Sequence, residues 1–222
     1  MTDYTAAIFD LDGVIADTAR LHFAAWIQLA SEEGFQLPPN ADNRLKGVDR
    51  MASLAIVLEG AARRYTTDEQ ARLADRKNRL YQTLIHQLTP ADLLPGAETL
   101  LNTLAAWGIP LALASASKNA KAVVEGLGIA GRFHTIADAA LVRHPKPDPE
   151  IFLMAARGLG VTPARCIGVE DAAAGVTALK RAGMYALGVG DPIVLREADR
   201  VVPSLAALDP ADYFTAPANR SN

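Results

Sequence analysis

Short, uninterrupted apolar runs alternate with amphipathic stretches along most of the chain. The runs are Ala6 to Phe9, Leu111 to Ala114, Cys166 to Val169 and Tyr185 to Val189, with Thr135-Ile136-Ala137 as a weaker one. Rich in Val, Ile, Leu and Ala and without polar alternation, they suit strands covered on both faces. Between them, Ala97 to Trp107, Lys118 to Leu127, Glu150 to Leu159 and Ala172 to Ala182 carry apolar residues at helical spacing. Strand followed by helix, repeated, predicts an α/β fold: a doubly wound, Rossmann-like parallel-sheet core.

One region breaks the alternation. From Thr18 to Leu88 the pattern is helical only, with candidate helices over Ala19 to Glu33, Arg50 to Arg64 and Thr67 to His86. Asp17 or Thr18 would cap the first, Gly34 would stop it, and Thr67 with Asp68 and Glu69 would open the third. Leu94-Pro95-Gly96 marks the return. The expected organisation is therefore a core of residues 1–17 and 89–222 with an inserted helical cap domain of residues 18–88, joined by hinges near Ala16 to Thr18 and Thr89 to Pro95. The polar tail from Thr215 to Asn222 is expected to fray.

Composition narrows the classes. Half of the 222 residues are apolar, enough for a large core, and the formal charge of -3 with a pI near 5.8 supplies no field for a nucleic-acid backbone. The single Cys166 sits in an apolar run, where it reads as a small buried hydrophobe. Met1 to Asp10 carries acidic groups where a signal peptide would be basic, and no apolar stretch is long enough for a membrane span. A cytoplasmic enzyme acting on a small molecule is expected, with no membrane or nucleic-acid partner. With no heptad or apolar stripe to mark an interface, a monomer is expected too.

In open parallel sheets ligands bind where strands end. After Phe9 come Asp10 and Asp12 in Asp10-Leu11-Asp12-Gly13; after Ala114 come Ser115 and Ser117; beyond the third strand comes Lys146, between two prolines; after Val169 come Glu170 and Asp171. Any one of these acids could be an ordinary helix cap, but four carboxylates at one edge repel each other and need a cation. An all-oxygen set without a Cys or His cluster favours Mg²⁺.

Phe9-Asp10-Leu11-Asp12-Gly13-Val14, then Ser115, Lys146-Pro147 and Glu170-Asp171 resemble the four ordered motifs of the haloacid dehalogenase superfamily, and the helical insert resembles its cap. The resemblance implies that Asp10 attacks phosphorus to form an aspartyl phosphate and that Asp12 serves as general acid and base. It places Mg²⁺ on Asp10, the Asp12 carbonyl and Asp171, with Glu170 in or near the shell. The residues agree chemically, because a carboxylate attacks an anionic phosphate only when the charge is offset, here by Mg²⁺, Lys146 and the Ser115 hydroxyl.

Hydrolysis and mutase chemistry share that first step. A mutase must also exclude water and grip a second phosphate. Leu45-Lys46-Gly47-Val48-Asp49-Arg50 with Ser53, and Ala114-Ser115-Ala116-Ser117-Lys118-Asn119, resemble the β-phosphoglucomutase subfamily, as do Asp17-Thr18 with His22 and Arg76-Lys77-Asn78. That resemblance implies a distal phosphate held by Arg50, Ser117 and Asn119, and a sugar lined by Lys46, Gly47, Val48 and Ser53. Thr18, Lys77, Ala116 and Lys118 join the substrate set, and His22 stands behind it, linked to Asp12. The reaction implied interconverts β-D-glucose 1-phosphate and glucose 6-phosphate, with β-glucose 1,6-bisphosphate as activator and intermediate. A sugar-phosphate phosphatase and a non-catalytic phosphometabolite binder are the alternatives. Asp49 beside Arg50, and His144-Pro145 before Lys146, depart from the expected pattern.

Overall fold

A computed structural model describes residues 4–216; residues 217–222, most of the polar tail, and Met1 to Asp3 lie outside the described residues. Six strands form one parallel sheet: β1 (Ala6–Phe9), β2 (Leu111–Leu113), β3 (Thr135–Ile136), β4 (Cys166–Glu170), β5 (Tyr185–Val189) and β6 (Arg200–Val202), in the order β3-β2-β1-β4-β5-β6. β1 is central, with Phe9 opposite Leu113 on one side and Val169 on the other.

Strand alternation splits the core in two. Ala7 and Phe9 pack with Leu111, Leu113, Ile167 and Val169 on one face, against the later helices 97–106 and 120–126. Ala6 and Ile8 pack on the other, against helices 150–159 and 173–182. Both faces are covered, as the continuous apolar runs require.

Between β1 and β2 the chain carries helices α1 (Ala19–Glu32), α2 (Ala41–Arg44), α3 (Arg50–Val57) and α4 (Thr67–Ile85). They enclose their own cluster of Trp26, Leu29, Leu54, Val57, Leu73 and Ala74. On α4 the buried stripe runs Leu73, Lys77, Tyr81, Ile85, one residue per turn, so a lysine occupies an apolar position. The two crossings between this segment and the sheet lie side by side: Ala16 bridges Leu93, and the Leu94 amide donates to Ile15 O at 2.9 Å. The remaining helices are α5 (Ala97–Ala106), α6 (Ala120–Gly126), α7 (Glu150–Leu159) and α8 (Ala173–Ala182).

Several local expectations change. The helix expected to Arg64 ends at Val57 and closes with one 3-10 turn over Leu58–Gly60, where the backbone presses on the preceding loop: a Cβ on Gly60 would lie 1.9 Å from Gln36 O. The capping side chain of α4 is Thr66, one residue before Thr67, in a reciprocal box with Glu69. Neither Asp17 nor Thr18 caps α1; Asp17 is exposed beside Arg20, and the Thr18 hydroxyl is turned inward to Asp12. α6 starts at Ala120 because Ser117 to Asn119 form a turn, in which the Asn119 amide donates to Ser117 Oγ. The short α2 and the edge strand β6, which opens on the exposed Arg200, lack a periodic signal in the sequence.

Candidate active site

The carboxyl edge of the sheet gathers the strand-end residues as expected. Asp10 follows β1, its amide donating to Val169 O at 2.9 Å, so the neighbouring strand sets its backbone. Lys146, from the loop between β3 and α7, donates to Asp10 Oδ1 at 2.7 Å and to Glu170 Oε1 at 2.5 Å, and its side chain is only 1% exposed. The other Glu170 oxygen accepts from the Ala172 amide at 2.8 Å, ahead of α8. Burial alone would discharge the Lys146 ammonium, but the charges and hydrogen bonds of Asp10 and Glu170 outweigh it and lift its pKa. Burial, with Glu170, Asp12 and Asp171 nearby, raises Asp10 well above the carboxylate range against the pull of Lys146. Burial and then Glu170 bring Asp171 to about 7, with Lys46 pulling the other way.

Asp12 is turned away from this group. Its Oδ1 accepts from the Thr18 hydroxyl at 2.5 Å and lies 3.8 Å from His22 Nε2, while its Oδ2 accepts from Ser115 at 3.5 Å. Ser115 Oγ in turn accepts from the Ser117 amide at 3.1 Å. Burial raises the Asp12 pKa, and the hydrogen bond from Thr18 and the charges of Lys146 and Lys77 limit the rise. A carboxyl with a raised pKa, outside the Asp10–Lys146–Glu170 group and lining the cavity, can take up and release a proton.

The helical segment supplies the opposite wall. His22 stacks on Tyr81 with ring centroids 3.8 Å apart, and its Nδ1 lies 2.6 Å from Lys77 Nζ. Lys77 also stands over the Trp26 and Tyr81 rings. Burial, then the Arg50 charge, lowers Lys77 to about 7, and burial with Lys77 and Arg50 pushes His22 well below its ordinary value. Arg50, at the start of α3, donates to Asn78 Oδ1 at 2.8 Å, and Asn119 Nδ2 donates to the same oxygen at 2.8 Å. Ser53 is buried, its hydroxyl on Val48 O at 3.3 Å.

These walls enclose a cavity of about 450 Å³. Asp10, Asp12, Lys146 and Asp171 line its core side, with Ala116, Ser117, Lys118 and Asn119 beside them. His22, Lys46, Gly47, Val48, Arg50, Ser53 and Lys77 line the helical side. Thr18, Ser115 and Glu170 stand behind the lining and act on it through Asp12 and Lys146. Asn78 also lines the cavity and stacked Tyr81 backs it; neither stood among the predicted site residues, although both lie next to or on the α4 stripe that contains Lys77. The two departures are accounted for: Asp49 points back to cap α3, accepting from the Met51 and Ala52 amides, and exposed His144 sits on Glu150, outside the cavity lining.

Asp10, Glu170 and Asp171 offer oxygens within 4.8 Å of one another. Three buried or half-buried carboxylates face one ammonium, a charge excess that a hard divalent ion would relieve. Gly13 leaves room for this group, since a Cβ there would meet Asp171 Oδ2 at 2.0 Å. The donor set fits Mg²⁺, with Asp10 and Asp171 offering open oxygens and Glu170 already engaged on both.

Comparison with known proteins agrees with this geometry. The family model of haloacid dehalogenase-like hydrolases matches residues 4–183. A β-phosphoglucomutase from Bacillus subtilis is 48% identical over 199 residues, covering 89% of this chain and 88% of that one. A fructose-1-phosphate phosphatase from Escherichia coli is 32% identical over 192 residues, 84% of this chain and 96% of its own. The crystal structure of a Clostridium difficile β-phosphoglucomutase superposes with a TM-score of 0.88 at 45% identity, covering 92% and 93% of the two chains. With Asp10 following the central strand and its lysine and acidic partners closing on it, the chain belongs to the haloacid dehalogenase-like family, in its β-phosphoglucomutase subfamily.

Proposed function

We propose that this enzyme interconverts β-D-glucose 1-phosphate and glucose 6-phosphate through an aspartyl-phosphate enzyme and β-glucose 1,6-bisphosphate. The observation that carries the reading is a single cavity with the Asp10–Lys146 pair at the sheet edge and, where the helical wall meets the core, the Arg50 and Asn119 donors joined through Asn78. Such a site holds a substrate by both ends.

In this mechanism phosphorylated Asp10 passes its phosphoryl group to the 6-hydroxyl of glucose 1-phosphate while Asp12 takes the hydroxyl proton. The bisphosphate then turns end for end, and Asp10 takes the phosphoryl group from the 1-position while Asp12 returns the proton to the departing sugar oxygen. Lys146 and Ser115 offset charge on the transferring group, and Ser117 helps Arg50 and Asn119 hold the far phosphate. Asp10, the Asp12 carbonyl and Asp171, with Glu170 alongside, would hold Mg²⁺, which would supply the remaining charge neutralisation. Residues 18–88 act as a cap on the core of residues 1–17 and 89–222, and their closure by hinges near Ala16 and Leu93 keeps water from the aspartyl phosphate.

Phosphorus NMR of the enzyme with Mg²⁺, β-glucose 1-phosphate and a trace of the 1,6-bisphosphate tests this. Glucose 6-phosphate should accumulate with little inorganic phosphate. Inorganic phosphate as the main product would replace the reading with a phosphatase, the activity named for the Escherichia coli relative.

A further inference from the structure

Arg50 and Asn119 come from opposite walls, yet both donate to one atom, Asn78 Oδ1, each at 2.8 Å. The orientation of Asn119 is fixed at its other end as well, since Gln82 Nε2 donates to Asn119 Oδ1 at 3.3 Å. Asn78 and Gln82 are four residues apart on α4, so one helix face holds both ends of the Asn119 amide. Arg50 is half-buried, and burial lowers its pKa, with Asp75 contributing only its charge. Its hydrogen-bond acceptor on Asn78 is therefore a neutral amide oxygen, weaker than a carboxylate or phosphate oxygen.

We infer that Asn78 is a positioning residue whose side-chain oxygen stands in for a phosphate oxygen, holding Arg50 and Asn119 at phosphate-binding separation until a phosphosugar displaces it. The inference rests on the reading of this cavity as a phosphosugar site. Pre-arranged donors lose less freedom on binding. A neutral acceptor yields to an anion, whereas a permanent carboxylate there would compete with the ligand for Arg50 and repel it.

The test uses Asn78→Ala and Asn78→Asp with Mg²⁺ present, measuring the Kd of glucose 6-phosphate by calorimetry and the hydrolysis of acetyl phosphate, which has no distal phosphate. Loss of the shared acceptor in Asn78→Ala should raise Kd about tenfold, and the loss in kcat/KM for β-glucose 1-phosphate should exceed that for acetyl phosphate by a similar factor. Asn78→Asp keeps both hydrogen bonds and so the contact between the walls, but should bind glucose 6-phosphate at least as weakly as the alanine variant. A merely structural asparagine would leave the aspartate variant like wild type, and that result, or equal losses on both substrates, would overturn the inference. Wild-type enzyme that fails to bind glucose 6-phosphate would overturn the phosphosugar reading and this inference together; normal wild-type binding with unchanged variants would overturn this inference alone.

Discussion

The two walls of the cavity are held in place by different means. At the sheet edge, Asp10 follows one strand and Glu170 ends the adjacent parallel one, and the buried Lys146 ammonium ties them together. On the helical wall, His22, Lys77, Arg50 and Asn78 are placed by one another, through a ring stack, a buried amine and a shared amide oxygen. Backbone-fixed groups suit the step that needs unchanging geometry; side-chain contacts can be exchanged for a ligand, which suits the step that must recognise and release it.

The largest effect is expected at the sheet edge. Asp10→Asn should lower turnover of β-glucose 1-phosphate by about 10⁴-fold or more, because no nucleophile remains. Circular dichroism and thermal unfolding should match wild type, since the amide fills the same space. Substantial residual turnover would remove Asp10 from that role.

A middle-sized effect separates the walls. Arg50→Ala should reduce kcat/KM for β-glucose 1-phosphate by about 10²-fold, the scale of a charge-assisted bond to phosphate. Hydrolysis of acetyl phosphate should fall by much less. Equal losses would mean that the helical wall only supports the fold.

The buried Lys77 of the helical wall should also be felt in stability. Lys77 titrates near 7 in the folded protein, below its ordinary value, because burial disfavours its charge. Between about pH 7 and the ordinary lysine range the unfolded chain binds the extra proton, so stability rises with pH across that window and is lowest below it. Urea unfolding should show a gain of about 1–2 kcal/mol from pH 7 to pH 9 in wild type that is missing from Lys77→Met. An identical rise in the variant would assign it to other groups.

The sheet edge was the more legible wall. Continuous apolar runs mark strands buried on both faces, and each polar residue that ends such a run is brought to one edge by the topology, as with Asp10, Ser115 and Glu170. The helical wall depends on rotamers and crossings that no periodicity encodes. Thr18 has the composition of a cap, yet turns its hydroxyl to Asp12, and Asn78, marked in the sequence only as part of Arg76-Lys77-Asn78, shows its role only where Arg50 and Asn119 meet on it. Lys77 did leave a trace, as a charge within the apolar stripe of Leu73, Tyr81 and Ile85. Helix ends shifted where a neighbouring backbone intervened, as Gln36 does at Gly60.

The central position of β1 also governs the order of assembly. Asp10 lies 136 residues from Lys146 along the chain, and β1 borders β4, whose last residue is Glu170. Contacts so distant in sequence close late, since each must overcome the entropy of a long loop. During synthesis the first strand emerges long before its second neighbour exists, and every nascent chain shorter than 146 residues carries Asp10 without its ammonium partner. Acquisition of activity is therefore a report on completion of the whole core, and fragments ending before residue 170 should remain catalytically silent however much local helix they contain.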